Sequence, residues 1–338
     1  MIDDTDFMID TVDESPESAV TIRRFPVLAQ LSVLALVLAI IFSGMFIPGM
    51  LKEKNVASNP APKAPLVTAQ TNLSSIDTLE NITIEGRAAF VYDVKGKKAL
   101  FTKGADKVLP LASITKLMTA LVAHELVDDG QKITISQSAI SQSGASGLAE
   151  GEQITVQSLS DYAMLASSND AAYALANAVG AVIDQTNPNQ TFINAMNIRA
   201  EELGFTNFTF YNPTGLDIDA NDAGAVGTAR EVSFLMEYIL ENYPSILEPS
   251  TFTSTRVYNE AGSYHSAENT NPIVTQIPNL LGSKTGYTDL AGGNLTVAFD
   301  AGYNRPIIIT VLGSSYDGRF SDVKKLVNAV TNALETTE

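Results

Sequence analysis

The 338-residue sequence predicts an α/β fold of the α+β type, with an antiparallel sheet built from both ends of a domain and an inserted, mostly helical subdomain. Hairpin-like segments occupy residues 88–103 and 294–314, near the two ends of the folded part. Between them, apolar residues recur at three- and four-residue intervals, which is the spacing of amphipathic helices. Strands at both ends with helices between them favour one sheet that carries a helical insertion.

An uncharged run of 27 residues, 25–51, precedes the folded part. This run is long enough to cross a hydrocarbon layer of about 30 Å as a helix. A cleavable signal is the alternative, but its apolar region would span only about 7 to 15 residues after a short basic lead. Here the lead is acidic, with seven Asp and Glu residues against Arg23 and Arg24. We therefore predict an N-terminal transmembrane helix, within four segments: an acidic tail (1–24), the transmembrane anchor (25–51), a linker (52–80) and a folded domain (81–338).

Local patterns along the chain predict each element in turn. Residues 52–72 are rich in Pro and Ala without any period, which is typical of an extended spacer. The stretch AAFVYDVKGKKALFTK, residues 88–103, predicts two strands joined at Lys95 and Gly96. Periodicity then predicts helices over residues 113–126, 156–166, 170–178, 191–203 and 229–241, with Gly130, Gly180, Gly204 and Pro244 near their ends. A strand around Lys284, a hairpin over 294–314 and a helix over 321–334 follow.

Composition excludes several classes of function. A formal net charge of −17 and the lack of a basic stripe disfavour nucleic acid as a partner. With no cysteine in the chain, disulfides, thiolate nucleophiles, thiolate zinc sites and iron-sulfur clusters are excluded. His124 and His265 are the only histidines, and neither accompanies a G-x-S-x-G turn or an H-x-x-x-H pair. We predict neither a Ser-His triad nor a metal site, and no cofactor.

The stretch LPLASITKLMTAL places Ser113 and Lys116 three positions apart at a predicted helix start. Residues at this spacing share a helix face, so the amine can reach the hydroxyl. A helix N-terminus also favours the negative charge that develops on an attacking oxygen. The alternative is an ordinary helix cap followed by a solvated lysine. Ser321 and Lys324 repeat the same spacing without companion motifs, so the pair alone does not decide.

Two later stretches also carry polar groups suited to chemistry. In LASSNDAAYAL, Ser167 and Asn169 could present a hydroxyl and an amide to a cleft, or could simply form a capping turn. In GSKTGYTDLAGGNL, an edge strand would let a ligand approach the backbone at Gly286, with Lys284 and Thr285 as donors to an anion. The alternative there is a strand with a glycine bulge.

In this order, the three motifs resemble the signature of the serine penicillin-recognising enzymes. The surroundings resemble the D-alanyl-D-alanine carboxypeptidases among the low-molecular-mass penicillin-binding proteins, in the segments ASITKLMTAL, EGEQITVQSLSDYAMLASSNDAAYALA, FINAMNIRAEELGFTNFTFYNPTGLD, KTGYTDLAGGNL and SSYDGRF. The similarity runs from about residue 82 to the C-terminus. It implies a β-lactamase/transpeptidase-like fold, a peptidoglycan stem peptide ending in D-Ala-D-Ala as substrate, and β-lactam antibiotics as covalent inhibitors.

The resemblance implies a catalytic set of five residues. Ser113 attacks the carbonyl of the terminal peptide bond and forms an acyl-enzyme, with Lys116 as its general base. That role requires a neutral amine near pH 7, so the pKa of Lys116 must fall by about 3 units, through burial and the nearby charge of Lys284. Ser167 relays a proton toward the leaving amine, and Asn169 hydrogen-bonds the substrate backbone.

The resemblance also implies a substrate-binding set. Thr285 meets the terminal carboxylate, and the backbone N–H groups of Ser113 and Tyr287 form the oxyanion hole. Gly286 belongs to the same set because its missing side chain lets a ligand approach the backbone. Arg319, in SSYDGRF, falls where relatives carry an arginine associated with recognition of that carboxylate. A surface ion pair is the alternative for Arg319.

The implied substrate determines the expected orientation of the protein in the membrane. Because the cell wall lies outside the cytoplasmic membrane, we expect a single-pass membrane protein with its tail in the cytoplasm and its catalytic domain outside. The chain is also expected to lack the β-rich second domain that several carboxypeptidases carry.

Three competing functions remain open. The sequence does not distinguish a D,D-endopeptidase from a carboxypeptidase. A β-lactamase of the commonest class would carry an E-x-x-L-N string, which residues 150–250 lack. A non-catalytic receptor for wall peptides or β-lactams, signalling through the tail, is the alternative from another class.

Overall fold

A computed structural model describes Leu79 and residues 82–144, 147–302 and 304–335 of the chain. The described residues lie within one compact unit. The predicted tail and transmembrane anchor, and nearly all of the linker, lie outside the described residues. Among the helices that the structure describes, none has the length and apolar character needed to cross a membrane.

The described chain contains strands of two to nine residues and seven α-helices. The strands are β1 (Ala88–Asp93), β2 (Lys98–Lys103), β3 (Leu109–Pro110), β4 (Lys132–Thr134), β5 (Gln153–Thr155), β6 (Thr209–Phe210), β7 (Ala225–Gly227), β8 (Ser254–Tyr258), β9 (Tyr264–Glu268), β10 (Leu280–Thr288), β11 (Gly292–Asp300) and β12 (Pro306–Ser314). The helices are α1 (Lys116–Leu126), α2 (Gln137–Ile140), α3 (Val156–Leu165), α4 (Asn169–Ile183), α5 (Pro188–Glu202), α6 (Ala229–Asn242) and α7 (Gly318–Glu335).

The main sheet joins the two ends of the domain. Its strand order is β10-β11-β12-β1-β2, and every neighbouring pair is antiparallel. The first strand therefore pairs with the last, with Ala88 opposite Leu312 and Asp93 opposite Ile307. This confirms the predicted sheet built from both ends, and it leaves β10 as an edge strand.

Helices cover both faces of the sheet. Alternate residues of β1 point to opposite sides, so Phe90 packs into one hydrophobic core while Val91 packs into another. Helix α6 packs on the first face and α7 on the second. Helices α1, α3, α4 and α5 contact one another and form the predicted helical insertion. The cleft of interest lies where this insertion meets the edge strand β10.

Most predicted elements are present, with shifted bounds. The predicted helix over residues 170–178 continues to Ile183, so Gly180 lies inside it. The predicted helix start at Ser113 is instead a 3₁₀ turn, Ala112–Thr115, and the α-helix begins at Lys116. The sequence patterns do not predict the β8–β9 hairpin, because its residues show little apolar alternation: within the hairpin only Val257 and Ala267 are buried.

Candidate active site

The Ala112–Thr115 turn holds Ser113 in a strained backbone. Ala112, immediately before it, has φ +48°, a left-handed conformation that is costly for a residue with a side chain. Ser113 does not act as a helix cap, since its hydroxyl bonds Lys116 and Thr115 holds the N-cap position of α1. The helix-cap interpretation of Ser113 is therefore wrong, because the 3₁₀ turn moves the helix start beyond the serine.

Two glycines allow the backbone to pack closely around this turn. Gly215 has φ +78°, and a Cβ added there would lie 1.9 Å from the carbonyl oxygen of Ala112. On the other side, a Cβ at Gly286 would lie 2.9 Å from the carbonyl oxygen of Leu111 and 3.2 Å from the backbone nitrogen of Ser113. Strand β10 can approach the serine this closely only because position 286 has no side chain.

Lys116 is fully buried, and its Nζ atom lies 2.8 Å from each of three oxygens: Ser113 Oγ, Asn169 Oδ1 and the carbonyl oxygen of Thr214. The amide and carbonyl oxygens can only accept, so they take two N–H groups of the amine. In a neutral amine, the lone pair then remains for the proton of the Ser113 hydroxyl. This is the arrangement that a general base needs.

The electrostatics of the cleft favour that neutral amine. Burial lowers the pKa of Lys116 well below its usual value, and the charge of Lys284 lowers it further. Desolvation and the guanidinium of Arg319 lower the pKa of Lys284 to about 7. Lys284 Nζ contacts Ser167 Oγ at 2.8 Å and the carbonyl oxygen of Thr285 at 3.1 Å. Within the described chain neither lysine pairs with a carboxylate, so no counter-charge reverses these shifts.

In the segment 167–169, the middle residue caps a helix and the two outer residues contact the lysines of the cleft. Ser168 caps α4 by accepting a hydrogen bond from the N–H of Ala171 at 3.0 Å. Because Ser168 provides the cap, the side chains of Ser167 and Asn169 can face the cleft. Ser167, with φ +58°, places its hydroxyl against Lys284 Nζ, while Asn169 accepts from Lys116 and donates to the carbonyl of Ser143. The capping turn and the cleft groups therefore coexist in one segment.

The Lys284–Tyr287 segment lies on β10, at the edge of the sheet. The register irregularity of β10 falls between Leu280 and Gly282, so Gly286 sits in regular strand and the glycine-bulge interpretation is wrong. Thr285 Oγ1 lies 2.6 Å from Thr270 Oγ1, and this hydrogen bond fixes the position of the hydroxyl. Tyr287 keeps 47% of its surface exposed, beside Tyr316.

Arg319 lies beneath these two tyrosines and is only 4% exposed. Its Nη1 donates a 2.7 Å hydrogen bond to the carbonyl oxygen of Gly286. The guanidinium carbon lies 4.5 Å from the ring centroid of Tyr316 and 5.9 Å from that of Tyr287. The surface ion pair considered for Arg319 is wrong: the group is buried, and no carboxylate of the described chain pairs with it.

A family model described as D-alanyl-D-alanine carboxypeptidase, peptidase family S11, matches residues 75–315. The chain belongs to the D-alanyl-D-alanine carboxypeptidase family.

Three relatives illustrate this family membership. D-alanyl-D-alanine carboxypeptidase DacF of Bacillus subtilis is 29% identical over 258 residues, which cover 75% of this chain and 64% of that protein. A D-alanyl-D-alanine endopeptidase of Escherichia coli is 30% identical, over 74% of this chain and 78% of the relative. The ampicillin-bound crystal structure of penicillin-binding protein D2 from Listeria monocytogenes superimposes with a TM-score of 0.63 at 29% identity, covering 74% of this chain and 98% of that one. The chain thus spans just under two thirds of the length of the Bacillus relative.

This member of the carboxypeptidase family brings the residues of all three motifs into one cleft. Sequence patterns do not identify three further contributors: the carbonyl groups of Thr214 and Ser143, and the hydroxyl of Thr270. A backbone carbonyl leaves no side-chain signature, although the NPTGLD segment around Thr214 is part of the resemblance.

The two histidines form their hydrogen bonds with carboxylates that are not among the site residues, His124 with Asp129 and His265 with Glu152. The described residues contain no cluster of three His, Asp or Glu side chains suited to a metal ion.

Proposed function

We propose that this protein is a serine D,D-carboxypeptidase that removes the terminal D-alanine from peptidoglycan stem pentapeptides. The observation that supports this most strongly is the environment of Lys116. Two contacts of its buried amine are with oxygens that can only accept, the Asn169 amide oxygen and the Thr214 carbonyl oxygen. The third contact is the hydroxyl of Ser113. An amine held in this way takes the hydroxyl proton, which makes Ser113 a nucleophile without histidine or metal ligands.

In the proposed acylation step, Lys116 Nζ takes the proton of Ser113 as Oγ bonds to the carbonyl carbon of the terminal peptide bond. The N–H groups of Ser113 and Tyr287 bind the oxygen as it becomes negative. The C–N bond then breaks, and the leaving nitrogen of D-alanine takes a proton through the Ser167 hydroxyl. Lys284 bonds that hydroxyl, and its pKa of about 7 suits a group that donates a proton near neutral pH.

Substrate groups are assigned by their chemistry. The Thr285 hydroxyl binds the terminal carboxylate. Asn169 Nδ2 uses one N–H for the Ser143 carbonyl and donates its second N–H to the substrate backbone. The proton that Lys116 took from Ser113 replaces the one that Lys284 gave up, so Lys116 is neutral again when water attacks the acyl-enzyme. Lys116 then takes a proton from the water and returns it to Ser113 Oγ as the ester bond breaks, which releases the shortened stem. A β-lactam forms the same ester with Ser113 but resists hydrolysis. The ampicillin-bound Listeria relative supports β-lactam binding by this chain.

The test is D-alanine release from a soluble stem pentapeptide, run beside a cross-linked dimer. The carboxypeptidase function predicts free D-alanine from the pentapeptide at a rate well above that of cross-link cleavage. Cleavage of the dimer without D-alanine release would instead assign the endopeptidase function, for which the Escherichia coli relative is named. Rapid turnover of penicillin would favour a β-lactamase. No reaction with any of the three would favour a non-catalytic receptor.

Replacing Lys284 with methionine is expected to move the pH dependence of acylation upward. The charge of Lys284 lowers the pKa of Lys116, so removing it raises that pKa. The rate, which rises as Lys116 loses its proton, should then rise at higher pH in the variant than in the wild type. The measurement is the rate constant for acylation by a fluorescent penicillin between pH 5 and 10. Lys132→Met, which removes a surface lysine paired with Glu260, serves as the control. An unchanged or downward-shifted profile would contradict the account.

Gly286→Ala is expected to lower the acylation rate by about 10- to 100-fold while the protein stays folded. The added methyl group falls 2.9 Å from the Leu111 carbonyl and forces β10 away from Ser113, which disturbs the oxyanion hole. The same penicillin assay measures the rate, and circular dichroism monitors folding. Gly130→Ala adds a methyl group whose single neighbour is the flexible Asp128 carboxylate, and it should react normally. Normal acylation by Gly286→Ala would refute the proposed packing.

We further propose that residues 25–51 anchor the protein in the cytoplasmic membrane, with the 1–24 tail inside and the 81–338 domain outside. Support comes from the apolar run itself and from the location of the substrate. Reporter fusions placed after Lys52 and at the C-terminus test this arrangement. Both should report an external position, and a cytoplasmic signal from either would contradict the topology.

A further inference from the structure

Arg319 contacts the backbone of the edge strand, and this contact bears on the oxyanion hole. Its Nη1 donates to the carbonyl oxygen of Gly286, at 2.7 Å in a buried position. That carbonyl belongs to the peptide unit whose nitrogen is Tyr287 N. Because a trans peptide is planar, its C=O and N–H groups point in opposite directions, and the described chain contains no cis peptide bond. The Tyr287 N–H therefore points away from Arg319.

The register of β10 shows which way that N–H points. Arg319 approaches over β11, since a Cβ at Gly293 would lie 3.2 Å from Arg319 Cδ. On the cleft side, the carbonyl of Thr285 accepts a hydrogen bond from Lys284 Nζ. Residues two apart in a strand direct their backbone groups to the same side, and β10 is regular from Gly282 to Thr288. Tyr287 thus shares the orientation of Thr285 and directs its N–H to the cleft, where Gly286 borders Ser113.

We propose that Arg319 is a positioning residue for the oxyanion hole, acting on the Gly286–Tyr287 peptide. This inference rests on the proposed function. A charged donor on the carbonyl oxygen holds the peptide plane and withdraws electron density from it, which strengthens the N–H at the other end as a donor. Oxyanion stabilisation depends on donors that are fixed before the charge develops. Arg319 holds the Gly286–Tyr287 peptide in place from the β11 side of β10, opposite the cleft.

Burial separates this role from direct recognition of a substrate carboxylate. The rings of Tyr287, Tyr316 and Phe320 lie around the guanidinium, at 4.5 to 5.9 Å from its central carbon. Nε is buried and has no hydrogen-bond partner in the described chain. The hydrogen bond of the guanidinium to the Gly286 carbonyl lies on the β11 side of β10, opposite the side to which the Thr285 carbonyl points. The arginine is therefore placed to act through the backbone and not by contact with the ligand.

The test compares two ligands that separate the oxyanion from the carboxylate. The first is an N-acyl-D-alanine analogue with boronic acid in place of the scissile carbonyl and no second residue. Ser113 Oγ bonds to boron, its proton passes to Lys116, and the resulting tetrahedral boronate anion places one of its hydroxyl oxygens in the hole. The second is N-acyl-D-Ala-D-Ala bound to Ser113→Ala protein, which keeps the terminal carboxylate but forms no oxyanion.

Arg319→Met is expected to lose about 10- to 100-fold in affinity for the boronic acid. This is less than the roughly 100- to 1000-fold that loss of a whole oxyanion donor costs in rate, because the Tyr287 N–H is weakened and not removed. The same substitution in the Ser113→Ala background should change the affinity for N-acyl-D-Ala-D-Ala by less than about 3-fold. Arg319→Lys keeps the charge and one donor, and it should recover much of the boronic acid affinity. Arg256→Met removes an exposed arginine that stacks 4.6 Å over Tyr264, and it should leave both affinities unchanged.

The opposite pattern, with the loss confined to N-acyl-D-Ala-D-Ala, would assign carboxylate recognition and overturn the inference. Unchanged affinity for both ligands would overturn it as well. Should Arg319→Met fail to fold, Arg319→Lys with an intermediate loss for the boronic acid alone supports the proposal, and a loss for the dipeptide alone refutes it. A wild-type protein that does not bind the boronic acid would instead refute the proposed function itself.

Discussion

Replacing Ser113 with alanine is expected to lower D-alanine release from a stem pentapeptide by at least about 10⁴-fold, because no other hydroxyl in the cleft can form the acyl-enzyme. Ser167 lies in the same cleft, but its hydroxyl bonds Lys284, and Lys116 is committed to Ser113. Steady-state release of D-alanine measures the effect.

The chain supplies its own matched control in Ser321→Ala. Ser321 and Lys324 have the same spacing as Ser113 and Lys116, but the Ser321 hydroxyl donates to the Gly318 carbonyl and Lys324 contacts Gln276. This variant should release D-alanine at the wild-type rate. Equal loss in both variants, or activity of Ser113→Ala within about 10-fold of wild type, would remove Ser113 from the mechanism.

Lys116→Met is expected to slow acylation by a fluorescent penicillin by about 10²- to 10⁴-fold, the range for loss of a general base. Methionine fills a similar volume without an amine, so the cleft should keep its shape. Because the lost group is the base itself, raising the pH should not restore the rate, in contrast to Lys284→Met. Time-resolved labelling at several pH values measures both effects.

Lys324→Met is the matched control for this prediction, since it changes the lysine of the second Ser-x-x-Lys sequence. It should label at the wild-type rate. Near-normal labelling by Lys116→Met at pH 7 would show that another group deprotonates Ser113, and the mechanism built on a neutral lysine would then be wrong.

Elements with strong periodicity are predictable from this sequence, and weakly patterned ones are not. The β1–β2 hairpin and the long helices alternate or repeat their apolar residues over many positions, so local patterns reveal them. The pairing of β1 with β12 follows from strands at both ends, although the register does not. The two-residue strands β3 and β6 are too short to carry a period. The β8–β9 hairpin buries only Val257 and Ala267, so its pattern resembles a polar loop.

The site shows a similar division. Motif order predicts which side chains meet in the cleft, since the resemblance covers Ser113, Lys116, Ser167 and Lys284 together. It does not reveal that Ala112 adopts a left-handed backbone or that the Thr214 carbonyl completes the environment of Lys116. Both depend on how distant segments pack, and backbone groups are the same in every residue. The burial of Arg319 likewise depends on Tyr287 and Tyr316, which meet only in the folded chain.

Two buried lysines without a carboxylate partner are costly for stability, and such groups concentrate at functional sites. Lys116 and Lys284 are both at most 1% exposed, in a cleft also bordered by the Arg319 cation. A structural role would be served better by an apolar side chain of similar size. The proposed chemistry explains the two buried lysines, because it needs a neutral amine beside a serine and a second amine with a pKa near 7.

The most direct test of the account is to locate the penicillin adduct by mass spectrometry after trypsin digestion. The three serines of interest fall in different tryptic peptides: Ser113 in residues 108–116, Ser167 in 133–199 and Ser321 in 320–324. We predict one adduct, with the mass of the intact penicillin, on Ser113 in peptide 108–116. An adduct on Ser167 or Ser321, or a folded protein that carries no adduct, would contradict the assignment of Ser113 as the nucleophile.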